Sequence, residues 1–423
     1  MTDAEPGDSS TVRLALLARL AHSFNSSLDL DQVLNRVIDE VITAVHAERG
    51  FVMLHEAGGR LAFPVARGID QRTIEDPSFQ VSRGVLARVA AEGQPVLTSD
   101  AQHDDRFSMR QSIVTLGLRS ILCVPLVVRD QVTGVIYVDN RLRAGIFTPA
   151  DLELLVGIAS SAAIAIENAR LYRAAVETGR LERELQMARE LQAGLIPHET
   201  PEAPGWEFVA RWQPARQVAG DFYDFIPAPG KHIGIVVADV ADKGMAAAIF
   251  MALTRSTVRA SLVGAPSPAE GIARANRLIS ADASGGMFVT LFYAQLDPVT
   301  GQLTYVNAGH DPAFLCADDQ DRCTFLERTG LILGIDEDAV YTQRTIQLEP
   351  GDCILIYTDG VTDAALDTSP DDNFGRERLQ ALVEAHHRAP AAEIVAALDQ
   401  ALQRYISPAG PFDDVTVMAI KRL

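Results

Sequence analysis

The sequence predicts a multidomain protein of the α+β class, in which segments of mixed helix and sheet are joined by a long helix. The chain has 423 residues, and a single domain usually holds about 150. Strand-like apolar runs recur in both halves, while a nearly uninterrupted helical pattern occupies the middle. We therefore expect a disordered start (1–10), a first domain (11–170), a helical linker (171–205) and a second domain (206–423).

Composition narrows the class of protein before any motif is considered. The chain is 48% hydrophobic and 22% charged, as a globular protein in water is, and its formal net charge is −19. That charge disfavours binding to nucleic acid or to an anionic membrane surface. The N-terminus is acidic and polar, unlike a signal peptide, and no unbroken apolar run approaches the ~20 residues that cross a bilayer. We expect no nucleic-acid partner, no membrane contact and a cytoplasmic location.

The cysteines also indicate a cytosolic protein. The four cysteines are Cys123, Cys316, Cys323 and Cys353. They lie in apolar or loop contexts without paired metal-ligand spacing, so we expect reduced thiols, as in a cytosolic protein.

The first domain begins with an amphipathic helix over 28–47, in which apolar residues recur at helical spacing. Two hairpins are predicted next, one turning at 58–59 and one at 129–131. Thr148 then serves as the N-cap of a long helix, with Asp151 at the acidic position of a capping box. The order is helix, hairpin, helical excursion, hairpin and long exit helix.

This order, with SILCVPL followed by GVIYVDN, resembles a GAF domain, a small α/β sensor module. The resemblance implies a site for an unknown small ligand or partner protein between the sheet and the helical excursion, around 107–118. Cys123 is compatible with a redox or haem role. Free cysteine in an apolar strand is more often simply buried, and we favour that reading.

The long helix continues to Pro197, which stops it. Two sets of positions repeat every seven residues: Leu171, Thr178, Leu185 and Gln192, and Ala174, Leu181, Ala188 and Leu195. This heptad pattern favours a parallel dimeric coiled coil, and hence a homodimer, over a helix packed on its own domain.

The second domain shows aspartates at or just beyond several apolar strands. Asp221 opens GDFYDF, Asp239 ends VVADV, Asp359 ends LIYTDG, and Asp413 with Asp414 precedes VTVMAI. If these strand ends converge, the carboxylates repel one another unless cations neutralise them. A site made only of oxygen ligands favours Mg²⁺ or Mn²⁺, and four or more carboxylates suggest two ions.

The motifs GDFYDF, VVADVADKGMAAA, FVTLFYAQLDPVTGQLTYVNAGHDP, LEPGDCILIYTDGVTDA, FGRERL and DDVTV resemble, in order, those of the metal-dependent PPM phosphatases in their bacterial SpoIIE branch. The similarity covers nearly all of 206–421. It implies an α/β/β/α sandwich of two packed antiparallel sheets flanked by helices. Together with the preceding helix and sensor module, the arrangement resembles that of RsbU-like regulators.

The resemblance also implies roles for individual residues. Asp239 would bridge two Mn²⁺ or Mg²⁺ ions, with the carbonyl of Val240 as a further ligand. Asp359 and Asp413 would complete the first ion, and Asp221 would serve the second. The catalytic set is therefore Asp239, Asp359 and Asp413, acting on phosphoserine or phosphothreonine through metal-activated water.

For several other polar residues of the second domain, the sequence allows both a functional and a structural interpretation. Asp224 and Asp414 are expected to support ligands or form turns rather than to bind metal. Asp242 could approach the metals or cap the following helix, and capping is favoured because Asp is a preferred N-cap. Arg216 could grip phosphate or be an ordinary surface arginine. His310 fits a structural turn and is not among the expected ligands.

Three functions remain open at this point. The favoured one is a GAF-regulated serine/threonine phosphatase, whose substrate in similar proteins is a phosphorylated STAS-type anti-sigma-factor antagonist. A non-catalytic partner-switching scaffold is disfavoured because the four principal aspartates are present. A hydrolase of small phosphates can be distinguished from the first only by comparing substrates.

Overall fold

The structure is a computed structural model of the 423-residue chain. It describes residues 7–56, 60–70, 72–74, 76, 81–102, 104, 116–283, 285–366, 369–405 and 413–423. The chain divides into two compact units, Met1–Leu181 and Glu182–Leu423. Each is described by itself.

The first unit contains one antiparallel sheet with helices on both faces. Its described elements are α1 (Gly7–Phe24), α2 (Leu30–Val45), β1 (Arg49–His55), β2 (Leu61–Gly68), α3 (Arg83–Glu92), β3 (Val96–Thr98), β4 (Ser120–Val128), β5 (Gln131–Asn140) and the start of α4 (Pro149–Ala193). The strand order is β2-β1-β5-β4-β3. This is the α/β architecture expected of the GAF segment.

Side chains that alternate along the strands separate the two cores of this sheet. On β5, Ile136 and Val138 face α1, α2 and α4, whereas Val135 and Tyr137 belong to the core beneath α3. This period of two is the property of a strand that is buried on both faces. Cys123 lies in the core beneath α3, fully buried, and burial raises the pKa of its thiol well above the usual range.

The N-terminal helix α1 was not predicted from the sequence. It begins at Gly7, inside the ten residues expected to be disordered, and it continues to Phe24. Its end is held because Leu20 and Phe24 are buried in the core with α2. The first predicted turn, 58–59, and most of the helical excursion, 107–115, lie outside the described residues.

The long helix α4 begins as predicted. The backbone N–H and the hydroxyl of Thr148 donate to Asp151 Oδ2 (2.9 and 2.7 Å), and Asp151 N–H donates back to Thr148 Oγ1 (3.3 Å). By length and composition alone, α4 is the one described helix that could cross a membrane. Ala159, Ala162 and Ala163 pack in the core of the first unit, however, and a buried core helix meets the same criteria.

The second unit is built on two five-stranded antiparallel sheets. The first has the order β13-β10-β9-β8-β7 and the second β12-β11-β14-β17-β6. Their strands are β6 (Trp206–Gln213), β7 (Phe222–Ala228), β8 (His232–Val240), β9 (Val289–Leu296), β10 (Gln302–Ala308), β11 (Ala313–Cys316), β12 (Thr324–Leu326), β13 (Arg344–Gln347), β14 (Cys353–Tyr357) and β17 (Val415–Arg422). The helices are α5 (Met245–Leu262), α6 (Pro268–Asp282), α7 (Asp359–Thr362), α8 (Gly375–His386) and α9 (Ala391–Leu402), and β15 (Ala365–Leu366) pairs with β16 (Ser369–Asn373).

The two sheets pack face to face and carry helices on their outer sides. On β17, Met418 and Ile420 join the core between the sheets, whereas Val417 and Ala419 join the core beneath α8 and α9. Helices α5 and α6 pack on the other sheet, where Phe250 of α5 is buried against it. The predicted α/β/β/α sandwich is thus confirmed.

The expectation of four reduced cysteines is wrong for one pair. Cys316 and Cys323 form a disulfide, with their Cα atoms 4.2 Å apart. The cause is the antiparallel pairing of β11 with β12, which places Leu315 opposite Thr324 and so brings the next two residues together. Cys123 and Cys353 are free and buried.

Candidate active site

The first pair of acidic residues meets through strand register. Strands β7 and β8 are antiparallel, with Phe222 opposite Ala238. Asp221 precedes β7 by one residue and Asp239 follows Ala238, so the two carboxylates lie on neighbouring strands at the same end of the sheet. The two carboxylates are close enough that the charge of Asp239 adds to burial in raising the pKa of Asp221.

The second pair meets in the same way on the other sheet. Strands β14 and β17 are antiparallel, and Tyr357 is opposite Val417. Asp359 comes just after β14, at the start of α7, and Asp413 comes just before β17. Gly360 allows these segments to touch, because a Cβ atom there would collide with the carbonyl oxygen of Asp414.

Two threonines bring the pairs from the two sheets together. Thr358 Oγ1 donates to Asp221 Oδ2 at 2.6 Å, and Thr416 Oγ1 donates to the same oxygen at 2.8 Å. All three side chains are buried, with Asp221 only 2% exposed. A buried carboxylate needs such donors because an unsatisfied charge in the interior is costly. Sequence reasoning missed both threonines.

The pKa values of the assembled carboxylates are raised. Burial, followed by repulsion from Asp239 and Asp414, raises the pKa of Asp221 well above its usual range. Burial, with repulsion from Asp413 and Asp414, raises the pKa of Asp239 to about 6. For Asp359, burial and the charges of Asp239 and Asp413 raise the pKa to about 7. A nearby cation favours the charged form of such buried, mutually repelling carboxylates.

Three further charged residues belong to the site and were not predicted. Asp311 and Asp363 both act on Asp359 and raise its pKa. The ammonium of Lys243 pairs with Asp413 Oδ2 at 2.7 Å. The lysine lies in the loop after β8, where the sequence analysis considered only the neighbouring Asp242.

Asp414 and Asp224 are engaged in structural contacts, as the sequence led us to expect. Asp414 accepts hydrogen bonds from the backbone N–H groups of Ala215 and Gly220, both at 2.7 Å. Asp224 is 1% exposed and forms ion pairs with Arg255 (3.2 Å) and Arg259 (2.8 Å) of α5. Asp414 thus connects the loop before β7 with the start of β17, and Asp224 connects β7 with α5.

Other candidates have simpler roles. Asp242 does not cap α5, because its Oδ1 accepts from the adjacent Lys243 N–H (2.8 Å) and the N-cap residue Gly244 has no side-chain bond. The φ of Asp242 is 85°, a positive value that residues other than glycine rarely adopt. Arg216 is exposed. His310 is buried and shares a 2.7 Å hydrogen bond with Thr290 Oγ1.

The donor chemistry of the site fits divalent metal ions. Its acidic groups are all oxygen donors, the type that Mg²⁺ and Mn²⁺ prefer. A Cβ atom on Gly220 would lie 2.9 Å from the carbonyl oxygen of Val240, so this glycine keeps that carbonyl unobstructed. Among the described residues, no three His, Cys, Asp or Glu side chains already form a metal-binding group.

Comparison with known proteins agrees with this architecture. The model of the family described as Stage II sporulation protein E (SpoIIE) matches residues 229–423, and a GAF domain model matches residues 27–167. The SpoIIE match begins after Asp221, which therefore lies outside it.

Two curated relatives and one solved structure are similar. The phosphoserine phosphatase RsbU of Bacillus subtilis is 30% identical over 239 residues, which cover 56% of this chain and 70% of RsbU. Protein IcfG of Synechocystis sp. is 33% identical over 267 residues, covering 56% of this chain but only 41% of IcfG. The SiaA-PP2C domain of Pseudomonas aeruginosa is 21% identical, with a TM-score of 0.52, over 58% of this chain and 98% of that domain. The last similarity shows the fold alone.

Two sheets that carry aspartates to a common edge, the matched motifs and the similarity over most of RsbU lead to one assignment. The chain belongs to the SpoIIE family of PP2C-type (PPM) phosphatases, with a GAF domain preceding the phosphatase-type domain.

Proposed function

We propose that this protein is a metal-dependent protein phosphatase that hydrolyses phosphoserine or phosphothreonine on a regulatory protein, under the control of its GAF domain. The observation that carries the proposal is the meeting of carboxylates from four segments, Asp221, Asp239, Asp359 and Asp413, at one edge of two packed sheets. Raised carboxylate pKa values at a common edge are typical of functional sites.

Within this proposal the side chains divide the work of holding two Mn²⁺ or Mg²⁺ ions. Asp239 and the carbonyl of Val240 supply central ligands, Asp359 and Asp413 hold one ion, and Asp221 serves the other. Bound ions of this kind lower the pKa of water and neutralise the charge of a phosphate group. The protein contributes the positions of the ligands, and Asp413, which pairs with Lys243 in this structure, would have to leave that pair to hold a cation.

The substrate and partners follow from the family rather than from the fold. RsbU is named a phosphoserine phosphatase, and we propose a phosphorylated STAS-type protein as the substrate here. We also propose a homodimer through α4, an unknown small ligand or partner protein at the GAF domain, and a cytoplasmic location.

The metal requirement is tested at Asp239. The Asp239→Asn variant should lose at least about 100-fold of phosphatase activity towards p-nitrophenyl phosphate in Mn²⁺, because it removes a charged ligand. Its circular dichroism should stay that of the wild type. Asp319→Asn, which neutralises an exposed aspartate of the same unit, is the matched control and should be fully active. Wild-type turnover by Asp239→Asn, or after complete chelation, would contradict the proposal.

The substrate class is tested by competition between phosphorylated partners. The full chain should dephosphorylate a phosphoserine STAS protein faster than phosphotyrosine peptides, because the described cysteines are buried or bonded and offer no nucleophile. Activity confined to small phosphates would favour a small-molecule hydrolase. Partner binding without any hydrolysis would favour a scaffold.

A further inference from the structure

The last turn of α4 buries a polar side chain that the heptad pattern had placed in a coiled coil. Gln192 is 5% exposed. Its Nε2 donates to the carbonyl oxygen of Ala219 at 2.7 Å, and the Ala219 N–H donates to its Oε1 at 2.8 Å. One side-chain amide thus satisfies both backbone groups of a single residue, as a neighbouring strand would. The coiled-coil assignment of this position is therefore wrong.

The residue that Gln192 holds stands two positions before a proposed metal ligand. The next N–H, of Gly220, donates to Asp414 Oδ2 at 2.7 Å. The carbonyl oxygen of Asp221 then accepts from Trp212 Nε1 at 2.9 Å. Ala219, Gly220 and Asp221 therefore bond to three different side chains, those of Gln192, Asp414 and Trp212. Of these three partners, Gln192 is the one that lies on the linker helix.

These contacts leave little freedom for the carboxylate. Thr358 and Thr416 fix Asp221 Oδ2, while the backbone contacts fix the chain that carries it. Outer partners of this kind orient metal ligands, and losing one typically weakens metal binding about 10- to 100-fold. A side chain on α4 thereby contributes to a site that is otherwise formed by the two sheets.

We propose that Gln192 is a positioning residue, which sets the backbone of the Ala219–Asp221 segment and makes metal binding at Asp221 depend on the placement of the last turn of α4. The proposal rests on the proposed metal-dependent phosphatase. It supplies a direct route by which a change in the linker helix alters the site, through two hydrogen bonds and one strand end.

The decisive variant is Gln192→Met, which keeps the length of the side chain and removes both hydrogen bonds. In the full chain, isothermal titration with Mn²⁺ should show the dissociation constant rising about 10-fold or more. At limiting Mn²⁺ kcat should fall, saturating Mn²⁺ should restore most of it, and KM for the phosphoprotein should stay unchanged. Gln192→Glu keeps one acceptor for the Ala219 N–H and should be intermediate.

Two controls separate positioning from general stability. Gln186 is exposed on the same helix, where it bonds only Glu190 in the contacts described, so Gln186→Met should bind Mn²⁺ like the wild type. Tyr223 OH donates to the Pro197 carbonyl at 2.7 Å and anchors the linker end elsewhere. Tyr223→Phe should lower the melting temperature without weakening Mn²⁺ binding.

The outcomes distinguish this inference from the function on which it depends. If Gln192→Met melts at a lower temperature but binds Mn²⁺ as the wild type does, Gln192 is only structural and the inference fails. If Tyr223→Phe weakens Mn²⁺ binding equally, loosening of the helix end is the cause and the inference also fails. If the wild type itself binds no Mn²⁺, the metal-dependent phosphatase is the proposal that falls.

Discussion

His310 shows how a residue that looks catalytic can be structural. It is 2% exposed at the end of β10, and burial lowers the pKa of its imidazole to about 4. An unfolded histidine titrates near 6.5. Between these values the unfolded chain binds a proton that the folded chain does not. The free energy of unfolding should therefore rise with pH from about 4 to 6.5.

Replacing this histidine should remove that part of the pH dependence. Relative to His310→Gln, the wild type should lose about 3 kcal/mol of stability between pH 7 and pH 4, since each pH unit of the window contributes about 1.4 kcal/mol. Urea unfolding of both proteins in chelator, at several pH values, measures the difference. Parallel pH profiles of the two proteins would mean that His310 protonates as readily in the folded state as in the unfolded state.

Single residues of the site differ in how far the sequence reveals them. Asp221 and Asp239 were predicted as site residues because each stands at or beside the end of an apolar strand, which is a local pattern. The bonds from Thr358 and Thr416 to Asp221 span 137 and 195 residues of sequence and join two sheets. No local pattern contains them, because they depend on how the sheets pack.

At the scale of elements, α7 depends on a close approach of backbones. Gly360, in its first turn, is buried against the segment that leads into β17. A methyl group there would meet backbone atoms of Asp414 rather than a side chain that could move aside. The approach of Asp359 to Asp413 therefore requires glycine at this position.

Gly360→Ala should destabilise the second unit by about 3 kcal/mol or more, at the upper end of the usual cost of overpacking, and should weaken Mn²⁺ binding. Gly179→Ala is the matched control, because a Cβ atom there meets nothing within 4 Å inside α4. It should be neutral or stabilising by up to about 1 kcal/mol. Thermal unfolding followed by circular dichroism compares them. Equal melting temperatures would show that the two segments can separate at no cost.

Helices and strands were predicted best where one periodic apolar pattern was bounded by recognisable capping or turn residues. The helix expected over 28–47 forms as α2, Leu30–Val45, and the capping box of Thr148 with Asp151 is present. Gln192 was misassigned because a seven-residue count records spacing, not which surface a helix meets. The Cys316–Cys323 bond was missed because it follows from the register of β11 with β12.

At the scale of the whole molecule, the proposed homodimer rests on the exposed face of α4. Leu171 and Leu181, which stand at the two heptad positions of the predicted seam, are 58% and 57% exposed in the single chain. Apolar side chains exposed at heptad positions are typical of a helix that pairs with another helix. Because Gln192 is engaged with Ala219, the helix would pair with a second copy before its last turn and contact the phosphatase-type unit at its end.

The phase of α4 should consequently matter more than its length. One alanine inserted between Arg180 and Leu181 turns the following residues by about 100°, so the apolar positions before and after it no longer share a face. Seven residues that repeat the heptad pattern lengthen the helix by about 10 Å and return the phase to within about 20°. We expect the single insertion to weaken the dimer and to make phosphatase activity independent of the GAF domain, while the heptad insertion preserves both. Light scattering after size exclusion and turnover of the phosphoprotein measure the two properties. If both insertions behave alike, or if the active wild type is a monomer, α4 is a passive tether and this mechanism is wrong.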